Sequence, residues 1–406
     1  MIYTPYWHFV TTLAIEQGIE KIDFDLSIAA KFEKAVVFGK KVLLKLQNLK
    51  ILHLHSYGDD TILEMLPSCC AKLEELSMIM SCITEKGLIS LCKKENNGDE
   101  THSLNLKVID LTGIIQINDG VSYLLKNMPS LELVVYQDLP LVLSNMYKHD
   151  VHKASKDKYN LTSFTLPYDY TSKCFPRIQD TLSIISMCCP CIKVLSVPIE
   201  IKQDLESISK LSELEDFSAV DISLTSDLDL NWFLKQKGGT LKQFKIRGFR
   251  ISVDILVESC PNLESFTFGN TCFRLSDPNI NLKPLNNLNE LSVISMHYNN
   301  NSKQAAIDIL NCSPKLEYLA FFDCDFKHDD ELCTKFIKSL ENYNLHFLKF
   351  DTCVLDMPLL QIIILSCFSL KILVLDQCYD LHGCNMEALY EFSLLLKSEV
   401  EIFWRK

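Results

Sequence analysis

Residues 316–321 read LEYLAF, and the same spacing returns as LHFLKF at 345–350 and LKILVL at 370–375. In each copy the fourth and sixth residues are apolar and two apart, so both side chains leave a short strand on one side and can enter a core. The first apolar residue closes the turn that leads into that strand. Further back in the chain, LNELSV at 288–293, LESFTF at 263–268 and LEELSM at 73–78 keep the L-x-x-L-x-L pattern. With conservative substitutions its first apolar position recurs at Ile19, Leu49, Leu73, Leu106, Leu131, Leu161, Ile192, Leu214, Leu241, Leu263, Leu288, Leu316, Leu345 and Leu370. The units at Leu131, Ile192 and Leu214 are the weakest copies, disturbed by Pro198 and Ala219.

From residue 19 to residue 370 these fourteen units are separated by thirteen intervals averaging about 27 residues, within the roughly 20 to 29 of leucine-rich repeats. Between the strands lie segments with helical spacing, among them EKGLISLCKK (85–94), DGVSYLLKNM (119–128), SVDILVESC (252–260), SKQAAIDILNCS (302–313), DDELCTKFIKSLEN (329–342) and MEALYEFSLLLK (386–397). Asp119, Ser302, Asp329 and Asp330 are expected to cap or charge helix starts. Strand, turn, helix, turn, repeated this often, predicts an α/β leucine-rich-repeat solenoid, a horseshoe with a parallel sheet on its concave side and helices on its convex side. The expected organisation is an N-terminal cap over 1–18, a solenoid of about 14 irregular units over 19–385, and a C-terminal helix and cap over 386–406. Tyr6, Trp7 and Phe9 are expected to cover the first unit and Phe403 with Trp404 the last, because a terminal repeat otherwise exposes a hydrophobic edge.

With 406 residues, 48% of them hydrophobic, the chain has material for a large continuous core. Lys and Arg number 40 against 52 Asp and Glu, and the formal charge of -12 argues against a phosphate backbone as partner. Seventeen cysteines, an odd number, fit a reducing cytoplasm or nucleus better than an oxidising compartment. They keep the register of the repeat. Cys70, Cys189, Cys260, Cys312 and Cys367 fall three or four residues before a first apolar position, while Cys82, Cys272, Cys324, Cys353 and Cys378 fall three or four after a strand. Both sets are expected as buried structural thiols at the corners of the solenoid. The opening MIYTPYWHFVTTLAIEQG has no basic start, and no stretch of the chain reaches 18 uncharged apolar residues, so neither a signal peptide nor a membrane span is expected.

Segments such as CCAKLEELSMIMSCITEKGLISLCKK (69–94) and ESCPNLESFTFGNTCF (258–273) resemble the cysteine-containing leucine-rich repeats of F-box proteins. In that family a C-P-x-L lead-in is followed by L-x-L, a further Cys and often I-T and G-L. The resemblance covers nearly the whole chain. It implies a solenoid that holds a substrate protein while an N-terminal F-box docks on the Skp-type adaptor of a cullin ubiquitin ligase. Only 18 residues precede the first unit here, fewer than an F-box needs, so the expected reading is an F-box relative that lost the module, a sequence with an incomplete N-terminus, or a free-standing repeat protein.

No Gly-rich phosphate loop, G-x-S-x-G or H-E-x-x-H occurs, so neither catalysis nor a cofactor is expected. An enzymatic role would be that of a GTPase-activating protein with an arginine finger, yet nothing singles out Arg177, Arg247, Arg250, Arg274 or Arg405 for it. His53 and His55 share a strand face but lack a third ligand, and Cys188, Cys189 and Cys191 lack the second pair that a zinc site needs. The acidic run from His328 to Glu331 reads as a helix cap, and the basic stretch from His152 to Lys158 as a solvated loop. What remains is the outward strand face, made by the third, fifth and seventh positions of each unit. Early units offer polar sets there, Lys21, Asp23 and Asp25, then Glu75 and Ser77. Late units offer Tyr318, Phe322, Phe347, Ile372 and Val374, flanked by Lys349, Asp351 and Asp376. Large apolar groups ringed by charge are what a protein-binding patch needs. The expected site is therefore Tyr318, Phe322, Phe347, Lys349, Ile372 and Val374 on the C-terminal third of the sheet. Its expected bearer is a monomer whose partner is another protein, not nucleic acid or membrane.

Overall fold

The computed structural model describes residues 20–25, 46–56, 58–93, 104–148, 154, 156–166, 178–223, 228–274, 282–294, 300–326, 335–336, 339–340, 344–379, 391 and 400–405. Within them the apolar positions of the repeat point inward. Thirteen of the fourteen first apolar positions, from Leu49 to Leu370, are 4% exposed or less. Ile19, the fourteenth, lies outside the described residues, as does the proposed N-terminal cap over 1–18. The fourth and sixth positions are buried in the same way, as in Leu76 with Met78, Phe266 with Phe268 and Leu373 with Leu375.

The chain divides into two units, residues 1–192 with 210–212, and residues 193–209 with 213–406. In the first unit, strands β1 (Lys21–Asp25), β2 (Ile51–His55), β3 (Glu75–Ser77), β4 (Val108–Asp110) and β5 (Leu133–Val135) pair in chain order, each parallel to the last. Helices α1 (Asp60–Cys69), α2 (Glu85–Leu91), α3 (Asn118–Asn127), α4 (Leu139–Tyr147) and α5 (Ile178–Cys188) pack neighbour on neighbour beside them, with strand β6 (Ser163–Thr165) between α4 and α5 in the chain.

The second unit holds β7 (Val194–Ile199), α6 (Lys202–Ile208), β8 (Asp216–Asp221), α7 (Asn231–Lys237), β9 (Gln243–Arg247), β10 (Arg250–Ser252), α8 (Val253–Ser259), β11 (Ser265–Gly269), β12 (Cys272–Arg274), β13 (Glu290–Ile294), α9 (Asn300–Asn311), β14 (Tyr318–Phe322), β15 (Phe347–Asp351), α10 (Met357–Ser366), β16 (Ile372–Asp376) and β17 (Glu401–Arg405). Its main sheet is parallel throughout, in the order β7-β8-β9-β11-β13-β14-β15-β16-β17, while β10 and β12 form a separate parallel pair. Strand, turn and helix recurring around one parallel sheet make each unit a leucine-rich-repeat stack of the α/β class. Phenylalanines reinforce the second core: Phe217, Phe244 and Phe266 stack in sequence at 6.1 and 5.6 Å, and Phe321 stacks on Phe350 at 5.5 Å.

Eight of the repeats share one device at the end of the strand. The eighth position of the repeat is left-handed at Ser56, Met80, Gly113, Gly248, Asn270, Asp323, Thr352 and Gln377, with φ between 47° and 91°. Five of these eight are not glycine or asparagine, so the conformation is imposed on them rather than preferred. Hydrogen bonds hold it: the amide of Asp323 donates to the Asp351 carbonyl at 2.9 Å and that of Thr352 to the Asp376 carbonyl at 2.8 Å. The turn delivers the ninth position into the core, where its side chain donates to the preceding strand. The thiols of Cys324, Cys353 and Cys378 reach the carbonyls of Val293, Phe321 and Phe350 at 3.7, 3.5 and 3.5 Å, and the Ser81 hydroxyl reaches that of Leu54 at 3.1 Å.

This ninth position corrects the expectation that both cysteine sets are buried. Cys70, Cys189, Cys260, Cys312 and Cys367 are buried, but Cys82 and Cys272 are exposed. They sit one residue beyond the ladder, whose buried places are taken by Ser81 and Thr271. All fourteen described cysteines are free, and burial pushes the thiols of Cys260 and Cys367 up to about 12, so they stay protonated at neutral pH. Ser302 also departs from expectation: it lies inside α9 and donates to the Thr271 carbonyl at 2.7 Å instead of capping. Caps do form at other helices, as at Asp59 on α1 and Asp356 on α10, each accepting a backbone amide at 2.9 Å, and at Thr84 on α2, which accepts the Lys86 amide at 3.2 Å.

At the second position, one residue before each strand, charge alternates from repeat to repeat: Glu20, Lys50, Glu74, Lys107, Glu132 in the first unit and Lys193, Glu215, Lys242, Glu264 in the second. Ion pairs join neighbours along these rows, Lys50 to Glu20 at 2.8 Å, Lys107 to Glu74 at 2.7 Å and Lys242 to Glu215 at 2.7 Å. A slip of one repeat would set like charges side by side, so the rows favour the observed register.

Candidate functional site

Parallel pairing sets the outward residues of the last strands into three straight rows. The third positions run Glu290, Tyr318, Phe347, Ile372, Glu401 across β13 to β17. The fifth run Ser292, Ala320, Lys349, Val374, Phe403, and the seventh run Ile294, Phe322, Asp351, Asp376, Arg405. Because strands in a sheet lie about 4.8 Å apart, side chains in one row touch. Tyr318 and Phe347 stack face to face at 4.5 Å with 10° between their planes. The Lys349 ammonium lies 5.1 Å from the centre of the Phe322 ring and 2.7 Å from a carboxylate oxygen of Asp351. All six site residues expected from sequence thus fall on β14, β15 and β16, partly exposed and side by side. Ala320, between Tyr318 and Phe322, is 0% exposed beneath them.

The electrostatics of the patch are local. Burial works to raise the Asp351 carboxyl, but hydrogen bonds from Lys349 and Thr352 outweigh it and hold the group below the usual carboxylate range. Burial raises the Tyr318 phenol, so it remains a neutral hydrogen-bonding group.

Three neighbours escaped the sequence reading. Ile294 continues the row of Phe322, while Phe403 and Arg405 extend the face onto β17. Phe403 and Trp404, expected as a cap, belong to a further parallel strand, on which Phe403 is 53% exposed. The repeat pattern passes over β17 because Glu399 stands where its first leucine would be. Alternation in EIFWR is the signal that marks it.

Other candidates gain no chemistry from their surroundings. His53 makes a 2.8 Å contact with Glu75, the His55 side chain lies outside the described residues, and no group of three metal-ligating side chains is found among the described residues. The thiols of Cys188 and Cys189 are buried 3.5 Å apart in a repeat corner. The run from His328 to Glu331 lies outside the described residues. Of the basic stretch, Asp157 accepts from Tyr147 at 3.1 Å, and Lys158 donates to the Met187 carbonyl. A depression of about 140 Å³ in the first unit is lined by Cys92, Lys93, Asn105 and Asn127, and burial pushes the Cys92 thiol up to about 12, away from nucleophilic use. No described helix is long and apolar enough to cross a membrane.

No protein-family model matches the chain. A stretch of 130 residues is 32% identical to NLR family CARD domain-containing protein 4 of Xenopus tropicalis; it covers 30% of this chain and only 12% of that relative. Among solved structures, the chain is similar to an internalin (inlF) from Listeria monocytogenes, with 16% identity and a TM-score of 0.41 over 82% of this chain and 80% of the other. It is also similar to a chain in the crystal structure of the Rad7 and Elc1 complex in yeast, with 14% identity and a TM-score of 0.44 over 93% and 91%.

Proposed function

We propose that this chain is a non-catalytic protein-recognition module that holds its partner on the outward face of β14 to β17. The observation behind this reading is the unbroken set of partly exposed side chains Tyr318, Phe347, Phe322, Ile372 and Val374, with Lys349, Asp351 and Asp376 at its rim. These side chains are only partly covered by the rest of the chain, so large apolar groups gathered there call for a partner that covers them. In the double variant Phe322→Ala, Phe347→Ala, affinity for a partner identified by cross-linking should fall about thirtyfold or more, as for hot-spot aromatics. Unchanged affinity in the folded variant overturns the assignment. Phe368→Ser, in the turn between α10 and β16 where Phe368 is 89% exposed, serves as the control expected to leave affinity unchanged.

Within this reading the module serves as the substrate-binding arm of an F-box-type ubiquitin ligase. Its support is the likeness of residues 69–94 and 258–273 to the cysteine-containing repeats of that family. If an F-box accompanies these repeats in the cell, affinity purification of the protein that carries them should recover a Skp-type adaptor and a cullin. Stable partners without either identify a free-standing scaffold instead.

A further inference from the structure

Strand β17 stands at one end of the main sheet in the second unit: it pairs with β16 on one side, and among the described residues no strand pairs with its other side. Its side chains show the consequence. Leu373 and Leu375 on β16 are 0% exposed, whereas their inward register neighbours Ile402 and Trp404 are partly exposed, and Phe403 on the outward side is 53% exposed. Sheet edges are ordinarily blunted by proline, by inward-pointing charge or by a bulge. EIFWR has no proline and no inward charge, and it keeps a regular register with β16. Its two charges, Glu401 and Arg405, are exposed at opposite ends of the outward side.

This edge is complementary to itself. Successive residues of a strand direct their main-chain groups to opposite edges. The Glu401 amide donates to the Lys371 carbonyl at 2.7 Å and the Gln377 amide donates to the Arg405 carbonyl at 2.8 Å, so the outward residues bond to β16 and the main-chain groups of Ile402 and Trp404 are directed to the outer edge. An antiparallel copy of the strand centred on Phe403 places Ile402 opposite Trp404 of the other copy, and residues facing each other in this way exchange both hydrogen bonds. The same register sets Glu401 opposite Arg405 of the other copy at both ends of the joint. Parallel pairing in register would instead set Glu401 on Glu401 and Arg405 on Arg405, like charge on like.

We infer that β17 is a self-association edge: two copies of this chain join by antiparallel pairing of their β17 strands, with Phe403 against Phe403 at a two-fold axis and an ion pair of Glu401 with Arg405 on either side. The inference stands apart from the docking reading, and the dimer departs from the monomer expected from sequence. It makes one sheet of two, β14 to β17 of one copy running into β17 to β14 of the other. A five-residue edge falls short of the roughly 800 Å² per partner of a standard interface, so the dimer is weak and forms with rising concentration.

The test is sedimentation velocity on the full chain from low to high micromolar concentration in low salt. The wild type should pass from one copy to two and stop there. Glu401→Arg and Arg405→Glu each put two like-charge pairs into the joint and should weaken dimerisation about tenfold or more. The double variant Glu401→Arg, Arg405→Glu restores both opposite pairs and should recover wild-type dimerisation. Ile402→Pro, which takes a donor from the outer edge and spares the bonds to β16, should abolish it. Thermal melts should show the variants folded, and the charge reversals, on exposed side chains, carry the test if the proline unfolds the strand. A chain that stays single at every concentration overturns the inference, as does a dimer indifferent to the single reversals or not restored by the double one. Growth beyond two copies identifies head-to-tail stacking and overturns it as well.

Discussion

The strands of the first unit and the last strands of the second are built on one inward pattern and present two different outward ones. Leu73, Leu76 and Met78 are as fully buried as Leu345, Leu348 and Phe350. Outward, β3 and β4 show Glu75, Val108 and Asp110, with Glu75 paired to His53 at 2.8 Å and Ser77 buried, whereas β14 and β15 show Tyr318, Phe322, Phe347 and Lys349. Their lengths differ too, three residues for β3 to β6 against five for β13 to β17. Core positions must fill a shared interior at close packing, so they converge. Outward positions answer only to solvent or to a partner, so they diverge, and the proposed docking face rests on that divergence toward exposed aromatics.

The inward likeness predicts like costs. Phe350→Ala removes a ring that stacks on Phe321 and meets Phe326 edge-on at 5.4 Å, and should lower unfolding stability by about 3 to 5 kcal/mol. Leu76→Ala in the first unit should cost about 2 to 5 kcal/mol. Urea unfolding with hydrogen exchange to locate the loss measures both. A cost below about 1 kcal/mol at either site would mean that the two interiors are not equivalent.

A smaller effect is confined to the second unit. Asp204 is 0% exposed and its Oδ2 accepts the amides of Glu200 and Ile201 at 2.9 and 3.0 Å, closing the start of α6. Asp204→Ala should cost about 1 to 2 kcal/mol in the same unfolding assay, and Asp204→Asn less, since the amide oxygen can still accept. Burial raises its carboxyl despite those hydrogen bonds. The folded chain therefore holds this proton more tightly than the unfolded one. The contribution of Asp204 weakens as pH rises from the ordinary value of about 3.9 through the raised one.

The smallest effect has the opposite sign. Asp351 is held below the carboxylate range, so its contribution is present above about pH 3.9 and is lost as pH falls through its lowered folded value. Lys349 and Asp351 side chains are 22% and 23% exposed, and Asp351→Asn should cost no more than about 1 kcal/mol at pH 7 and nothing at low pH. Thermal melts from pH 2.5 to 7 of the wild type and the Asn variants of both aspartates would show the two slopes; parallel curves would mean that neither group is perturbed in the folded chain.

Much of this was open to reading from the chain. Apolar residues at a fixed spacing can be buried in a single way when every strand is parallel, so the leucine positions, the α/β repeat and the six patch residues followed from periodicity alone. The alternation of Lys and Glu before the strands was equally visible, yet meaningless until the pairing placed Lys107 beside Glu74. Whether a cysteine is core or surface turned on a one-residue offset: Ser81 and Thr271 took the ladder while Cys82 and Cys272 fell outside it, because the left-handed turn before them counts residues strictly. The row that sets Asp376 beside Asp351, and the added strand with Phe403, arise from contacts between residues far apart in the chain. Spacing along one segment determines what each segment buries; which side chains stand together on the open face depends on how segments register against each other, and that is a property of the assembled sheet.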